Sequence, residues 1–332
     1  MTAHARISPF RRLFGHLENW KYTIGSAVDA GNQPYRLLAP SHVERRLEAD
    51  RQKGLAERRV IFCANPGRSG SDFIASLMSG VKGCVSRHEP RPKMNGDILR
   101  QVVTGGLAKT YRSRLIKVLA INSNLVAQDQ ETVYFESNHM FGKTFADVVC
   151  DFYDTVDVVI LRRHPVKVVR SFAELGYFTP RNPAWVGWMP DPVSTDPSLA
   201  TLFPDADQLD RIMGYLASFE YTIDRLRATR PDVRFYELCL EDLATPDGAS
   251  ALVGALGLEW DPTLVRHIRK IRNARSDRKS YFDMDIPEQV CENRLASFYE
   301  RLTRQGRDLP DLRERWERAR ETTAVKPDRG QG

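Results

Sequence analysis

Two short stretches of this chain collect the residue types that bind and move charged groups. In Gly67-Arg68-Ser69-Gly70-Ser71-Asp72, two glycines, two hydroxyls and a guanidinium follow the apolar run Val60-Ile61-Phe62-Cys63-Ala64 and the turn Asn65-Pro66. Ile74, Leu77 and Met78 then recur at helical spacing, which predicts strand, tight loop, helix. At such a junction exposed backbone N–H groups and the positive end of the helix dipole make an anion site. The glycines allow close backbone approach, Ser71 adds a donor, and Arg68 adds a fixed charge. The plainer alternative is an ordinary turn in which Ser71 caps the helix. The loop has no Gly-Lys-Ser/Thr ending of the kind that holds a terminal phosphate and magnesium, which argues against a kinase or ATPase.

The second stretch is Leu161-Arg162-Arg163-His164-Pro165-Val166-Lys167-Val168-Val169-Arg170-Ser171. It follows Val156 to Leu161, an almost wholly apolar run suited to a strand buried on both faces. Two anion sites at the carboxyl edge of one sheet suit a doubly phosphorylated nucleotide, with Arg163 at the strand lip and Ser171 on the following helix. For Arg162, Lys167 and Arg170 the expectation is solvated side chains at a basic helix start.

The elements that must position these residues read as strands alternating with helices. Short strands are predicted over Gly83–Arg87, Thr132–Glu136 and Val233–Tyr236. Helices are predicted through Asp97–Val126 with a break at Gly105-Gly106, and over Phe141–Tyr153 and Ala206–Thr229, with a further helix opened by Pro165. This implies an α/β fold, a mostly parallel sheet with helices on both faces. Residues 1–57 read as an N-terminal extension whose charged part, Glu44–Arg59, suits a solvated helix. Residues 58–300 form the main domain, and 301–332 a C-terminal helix with a disordered tail. Tyr177–Pro204, rich in proline with Trp185, Trp188 and Phe203, reads as a long irregular binding loop or lid.

Composition narrows the function classes. The net charge of +6 over 332 residues favours anionic ligands, but the basic residues form no single run, so no nucleic-acid partner is expected. No apolar stretch approaches the roughly 18 to 20 residues that cross a bilayer, and the first twenty residues lack a secretory pattern, so a cytoplasmic protein is expected. Five dispersed cysteines, Cys63, Cys84, Cys150, Cys239 and Cys291, suggest buried thiols and no metal site.

With both motifs present, the chain resembles the sulfotransferase family that uses 3′-phosphoadenosine-5′-phosphosulfate (PAPS), on a P-loop-like α/β fold. Pro66-Gly67-Arg68-Ser69-Gly70-Ser71-Asp72-Phe73 is similar to its 5′-phosphosulfate loop, commonly Pro-Lys-Ser-Gly-Thr-Thr-Trp. Val158–Ser171 is similar to its 3′-phosphate motif, an arginine closing a strand and a serine eight residues later, as in Arg163 and Ser171. The resemblance implies PAPS as donor, no required metal, and transfer of a sulfonate to a hydroxyl or amine of a small-molecule or glycan acceptor. Arg68 stands where many relatives carry lysine, and Phe73 where the cytosolic members carry an adenine-stacking tryptophan; Phe73 stacks on adenine or belongs to the core.

For the proton acceptor the resemblance offers two templates. Ser86-Arg87-His88-Glu89-Pro90 follows the second strand, where glycan and protein-tyrosine sulfotransferases place a catalytic glutamate, here Glu89; His88 is read as a helper that hydrogen-bonds Glu89 or as a plain surface residue. Phe135–Phe141 lies where cytosolic members place a catalytic histidine, here His139 or Asn138. Glu89 is favoured, because its strand is expected to emerge beside the phosphate loop. Glu241-Asp242-Leu243 is read as structural, and Arg275, Arg278 and Lys279 as a late basic loop over the donor. The competing functions are a P-loop kinase acting on a small molecule and a non-catalytic nucleotide-binding protein of the same fold.

Overall fold

The computed structural model describes residues 39–268 and 285–321. Five strands, β1 (Arg59–Ala64), β2 (Cys84–His88), β3 (Val133–Ser137), β4 (Thr155–Arg162) and β5 (Arg234–Cys239), form one sheet in the order β2-β3-β1-β4-β5. Every neighbouring pair is parallel. Along β1 the side chains alternate between two apolar clusters, Val60, Phe62 and Ala64 in one and Ile61 and Cys63 in the other. β4 does the same with Val156, Val158 and Ile160 against Val159 and Leu161. A strand between two layers needs apolar groups on both faces, and this is why both strands read as continuous apolar runs.

The helices include α1 (Pro40–Gln52), α2 (Ser71–Met78), α3 (Asp97–Arg114), α4 (Ile116–Leu125), α5 (Ala146–Cys150), α6 (Pro165–Glu174), α7 (Gln208–Thr229), α8 (Pro246–Ala255), α9 (Glu288–Arg304) and α10 (Leu312–Glu321). Residues of α1, α4, α5 and α7 share the first cluster, and those of α2 and α8 the second, so the sheet is covered on both faces. Behind α6, its residues Val166, Val169 and Phe172 join Ile212 of α7 and Phe298 of α9 in a third cluster. Among the described residues no helix is long and apolar enough to cross a membrane.

Several expectations change. The charged helix spans Pro40–Gln52, not Glu44–Arg59, and it is not wholly solvated: Val43 and Leu47, four residues apart on one face, enter the core. Burial of such side chains contributes roughly 1.5–3 kcal/mol each. Residues 1–38, 269–284 with Arg275, Arg278 and Lys279, and the tail from 322 lie outside the described residues. Gly106, with φ 80°, does break α3. The helix expected over Phe141–Tyr153 is a π-helical turn, Phe141–Phe145, in which Ala146 N–H donates to Phe141 O, followed by α5.

The irregular segment Tyr177–Pro204 contains three short helical turns, Pro183–Gly187, Pro192–Thr195 and Pro197–Leu202. Each opens on proline after a capping side chain: Asn182 accepts from Ala184 N, Asp191 from Val193 N, and Asp196 from Ser198 N. Asx-Pro is a helix-start signal, because the Asx side chain takes an orphan N–H and proline needs no partner.

Candidate active site

All the segments singled out for chemistry follow the carboxyl ends of strands. Residues 65–72 follow β1, Glu89 follows β2, Asn138 and His139 follow β3, and Arg163 follows β4. β2 and β3 lie on one side of β1, and β4 and β5 on the other. The winding therefore reverses beside β1, the place where open parallel sheets bind ligands.

The loop after β1 is pinned at its start and kept open at its end. Asn65 Oδ1 accepts from Gly67 N at 3.0 Å, and Tyr215 of α7 donates its hydroxyl to Pro66 O at 2.7 Å. Gly67, Arg68 and Gly70 have φ of 93°, 61° and 99°. At Gly70 that φ is one a side-chain-bearing residue rarely adopts, and a Cβ would lie 2.5 Å from Leu240 Cδ1, which would have to move aside. For Arg68 the left-handed conformation costs about 1–2 kcal/mol, strain that the loop carries at the point of interest. Gly70 is the N-cap of α2 and supplies no side-chain bond. Ser71 does not cap the helix; its Oγ lies 3.1 Å from His88 Nε2. Ser69 Oγ is buried with no hydrogen-bond partner among the described residues, a polar atom suited to an incoming anion oxygen. Asp72 lies in the first turn of α2, and Phe73, only 8% exposed, packs in the core with Ile74 and Leu77. Of its two readings, core packing is the one observed: position N3 turns the ring toward the sheet.

The two basic motifs meet. Arg163 Nη1 donates to Arg68 O at 3.2 Å, and Arg68 Nε donates to Ser171 Oγ at 3.1 Å. Burial draws the Arg163 guanidinium below its ordinary value, opposed by Glu241 and Glu288; it stays charged. Its neighbour Arg162 is not solvated. Arg162 is buried and grips Glu220 with two bonds, 2.8 Å from Nε and 2.6 Å from Nη2, and pairs with Glu237 as well. Arg170 bonds Glu174, Asp285 and Glu288, while Lys167 is exposed. Glu241 is structural in the expected sense, accepting from His164 N at 3.1 Å and from Trp316 Nε1 at 3.2 Å.

Glu89 and His139, taken as alternatives from the sequence, are neighbours. His139 Nε2 lies 3.5 Å from Glu89 Oε1. β2 does not emerge beside β1, since β3 stands between them; Glu89 is held there by its N–H donating to Ser137 O at the end of β3. The hydrogen bond of His88 goes to Ser71, not to Glu89. Burial raises the Glu89 carboxyl above the ordinary range, against the pull of His88, Lys93 and Lys143. Burial, helped by Lys143, His88 and Lys93, holds His139 well below its usual value and so neutral.

Sequence reasoning missed Lys143. Four residues after His139 in the π-helical turn, it is half-buried, and its Nζ lies 3.3 Å from His139 Nδ1, 2.9 Å from Trp188 O and 3.0 Å from the Tyr215 hydroxyl. Burial pushes it down to about 7, opposed by Glu89. The signal was a lone lysine in the apolar run Phe141-Gly142-Lys143-Thr144-Phe145. Trp188, from the proline-rich segment, stacks on His139 with ring centroids 4.9 Å apart, while Phe203 stacks on Phe298 at 4.9 Å and anchors the segment.

No protein-family profile and no curated protein matches the chain. Among solved structures it is similar to a sulfotransferase domain from the curacin biosynthetic pathway, at 12% identity over 76% of this chain and 99% of that one, TM-score 0.40. It is similar to a sulfotransferase from Alicyclobacillus acidocaldarius at 12% identity over 77% and 99%, TM-score 0.41. A sulfotransferase from Mycobacterium tuberculosis H37Rv matches at 15% identity over 77% and 82%, TM-score 0.39. Likeness of this degree assigns neither activity nor substrate to the chain.

Proposed function

We propose that the protein transfers a sulfonate group from PAPS to a hydroxyl or amine acceptor and releases 3′,5′-adenosine bisphosphate (PAP). The observation that carries this reading is the hydrogen-bonded chain from Arg163 through Arg68 to Ser171, which joins two basic motifs far apart in sequence. A 5′-phosphosulfate and a 3′-phosphate on one nucleotide need two such anion sites side by side. The residues fit the donor: Ser69 Oγ has no partner among the described residues, and Gly70, at φ 99°, keeps the loop open to close approach.

In this reading the backbone of Gly67–Asp72, with Ser69 and Ser71, holds the 5′-phosphosulfate, and Arg163 and Ser171 hold the 3′-phosphate. Arg68 offsets charge on the transferring oxygens. The acceptor oxygen or nitrogen attacks sulfur, the bond from sulfur to the phosphate oxygen breaks, and the electron pair leaves with PAP. The acceptor proton goes to Glu89, whose raised proton affinity suits a general base near neutral pH. His139 and His88 flank it, the first toward Glu89 and the second toward Ser71.

Calorimetry with PAP, PAPS and ATP plus magnesium is the test, followed by a mass-spectrometric screen of cell extract for acceptors that gain a sulfonate. PAP and PAPS should bind far better than ATP. ATP with magnesium binding as tightly as PAP overturns the donor and favours a kinase; PAP binding with no transfer to any acceptor favours a non-catalytic nucleotide binder.

A further inference from the structure

The three contacts of Lys143 Nζ leave little freedom in where its hydrogens point. The Trp188 carbonyl, 2.9 Å away, can only accept. The Tyr215 hydroxyl, 3.0 Å away, has its own hydrogen committed to Pro66 O at 2.7 Å, so toward Lys143 it accepts too. The remaining contact is His139 Nδ1 at 3.3 Å. An ammonium has a third hydrogen, and it goes to Nδ1. The neutral imidazole must then carry its proton on Nε2, which faces Glu89 Oε1 at 3.5 Å. An uncharged amine has two hydrogens, both already placed, and turns its lone pair to Nδ1. The imidazole proton then moves to Nδ1, and Nε2 faces Glu89 bare.

We propose that the protonation state of Lys143 selects the tautomer of His139, and so decides whether His139 supports Glu89 as the proton acceptor or competes with it. With the ammonium, Nε2–H donates toward the Glu89 carboxylate and orients it, and Glu89 is the base. With the amine, Glu89 loses that donor and faces a second lone pair. Lys143 is a positioning residue that acts through His139. The consequence for Glu89 rests on the sulfonate-transfer reading; the tautomer selection does not.

Lys143 passes from ammonium to amine near neutral pH, so the ammonium state prevails below it. Glu89 attracts Lys143, while burial draws Lys143 down to about 7. His88 and Lys93 add positive charge near His139, Glu136 lies behind Glu89, and Tyr177 and Tyr215 stay protonated, both raised by burial. His139 is held neutral, so the ring exchanges tautomers without changing its charge.

The test uses the unmodified protein, labelled with ¹⁵N-histidine and ¹³C-lysine and followed by NMR over about pH 5.5 to 9, a range that spans ordinary histidine titration. His139 should carry its proton on Nε2 at the acid end and on Nδ1 at the alkaline end, with the same midpoint as Lys143 Cε. Lys143→Arg, always charged, should keep Nε2–H throughout and remove the corresponding alkaline step from the turnover profile. A proton on Nδ1 at the acid end, or a tautomer that does not change while Lys143 titrates, overturns the proposal even if the arginine variant fails to fold. The spectra need neither donor nor acceptor, so a failure of sulfonate transfer leaves this outcome readable.

Discussion

Glu136 and Glu89 stand at the carboxyl ends of adjacent strands, each with a lysine nearby, Lys117 buried and Lys143 half-buried, and they are partnered very differently. Glu136 is 0% exposed and accepts three short bonds: from Lys117 Nζ at 2.7 Å, the Tyr134 hydroxyl at 2.6 Å and Asn138 Nδ2 at 2.7 Å. Glu89, with 20% of its side chain exposed, has the single 3.5 Å approach of His139. Lys117 spans the two regions, because its ammonium also reaches Pro90 O at 3.4 Å and Pro92 O at 3.3 Å, just beyond Glu89. A carboxylate whose oxygens are all taken has no capacity left for a substrate proton and serves as framework. One that is desolvated but underpaired has a raised proton affinity, and that is what proton transfer requires.

The contrast is broken most directly at Glu89. Glu89→Gln keeps the shape and removes the proton acceptor, so turnover should fall by about 10²–10⁴ with PAP affinity unchanged. Steady-state kinetics and calorimetry on the same preparation check this. If the glutamine variant keeps most of its turnover while His139→Ala loses it, the histidine is the base and the comparison has been drawn around the wrong residue.

At Glu136 the same substitution should act on stability. Glu136→Gln leaves the Lys117 ammonium buried without its counter-charge, and breaking a buried pair costs about 3–5 kcal/mol. Urea unfolding measures it. A variant as stable as the parent would show that the three short bonds to Glu136 are not framework.

Smaller effects belong to the donor side. Arg163→Ala and Ser171→Ala should each weaken PAP binding by about 1–3 kcal/mol, the scale of one charge-assisted hydrogen bond. Adenosine 5′-monophosphate, lacking the 3′-phosphate, should bind both variants as it binds the parent. Variants that still discriminate PAP from adenosine 5′-monophosphate as the parent does would remove the 3′-phosphate from this motif.

The two basic motifs were the more legible half in the sequence, and the reason is physical. β1 and β4 are buried on both faces, so their apolar runs and the loops after them stand out within a few residues. The arrangement around Glu89 depends on strand order, and nothing local in Cys84–His88 says that β3 lies between β2 and β1. Lys143 was hidden because two of its three partners, Trp188 O and the Tyr215 hydroxyl, come from far along the chain. Arg162 was misread because its partners Glu220 and Glu237 come from α7 and β5, far along the chain. The Asx-Pro pairs at 182, 191 and 196 were readable and went unread.

The smallest effect is also the one whose sign separates the two glutamates. Burial raises the folded-state affinity of Glu89 for its proton. The folded protein therefore holds that proton to higher pH than the unfolded chain does. Any stability this contributes is complete below the unfolded carboxyl value, about 4.3, and is lost as pH rises through the folded value. Glu89→Gln removes this loss, so relative to the parent it should be more stable at pH 7 than at pH 4. Thermal unfolding of both proteins at the two pH values reads the difference. Glu136→Gln should instead be destabilised through the loss of its pairing with the Lys117 ammonium. If Glu89→Gln instead loses stability at pH 7 relative to pH 4, its carboxylate is stabilised by the fold and not desolvated, and the contrast with Glu136 fails.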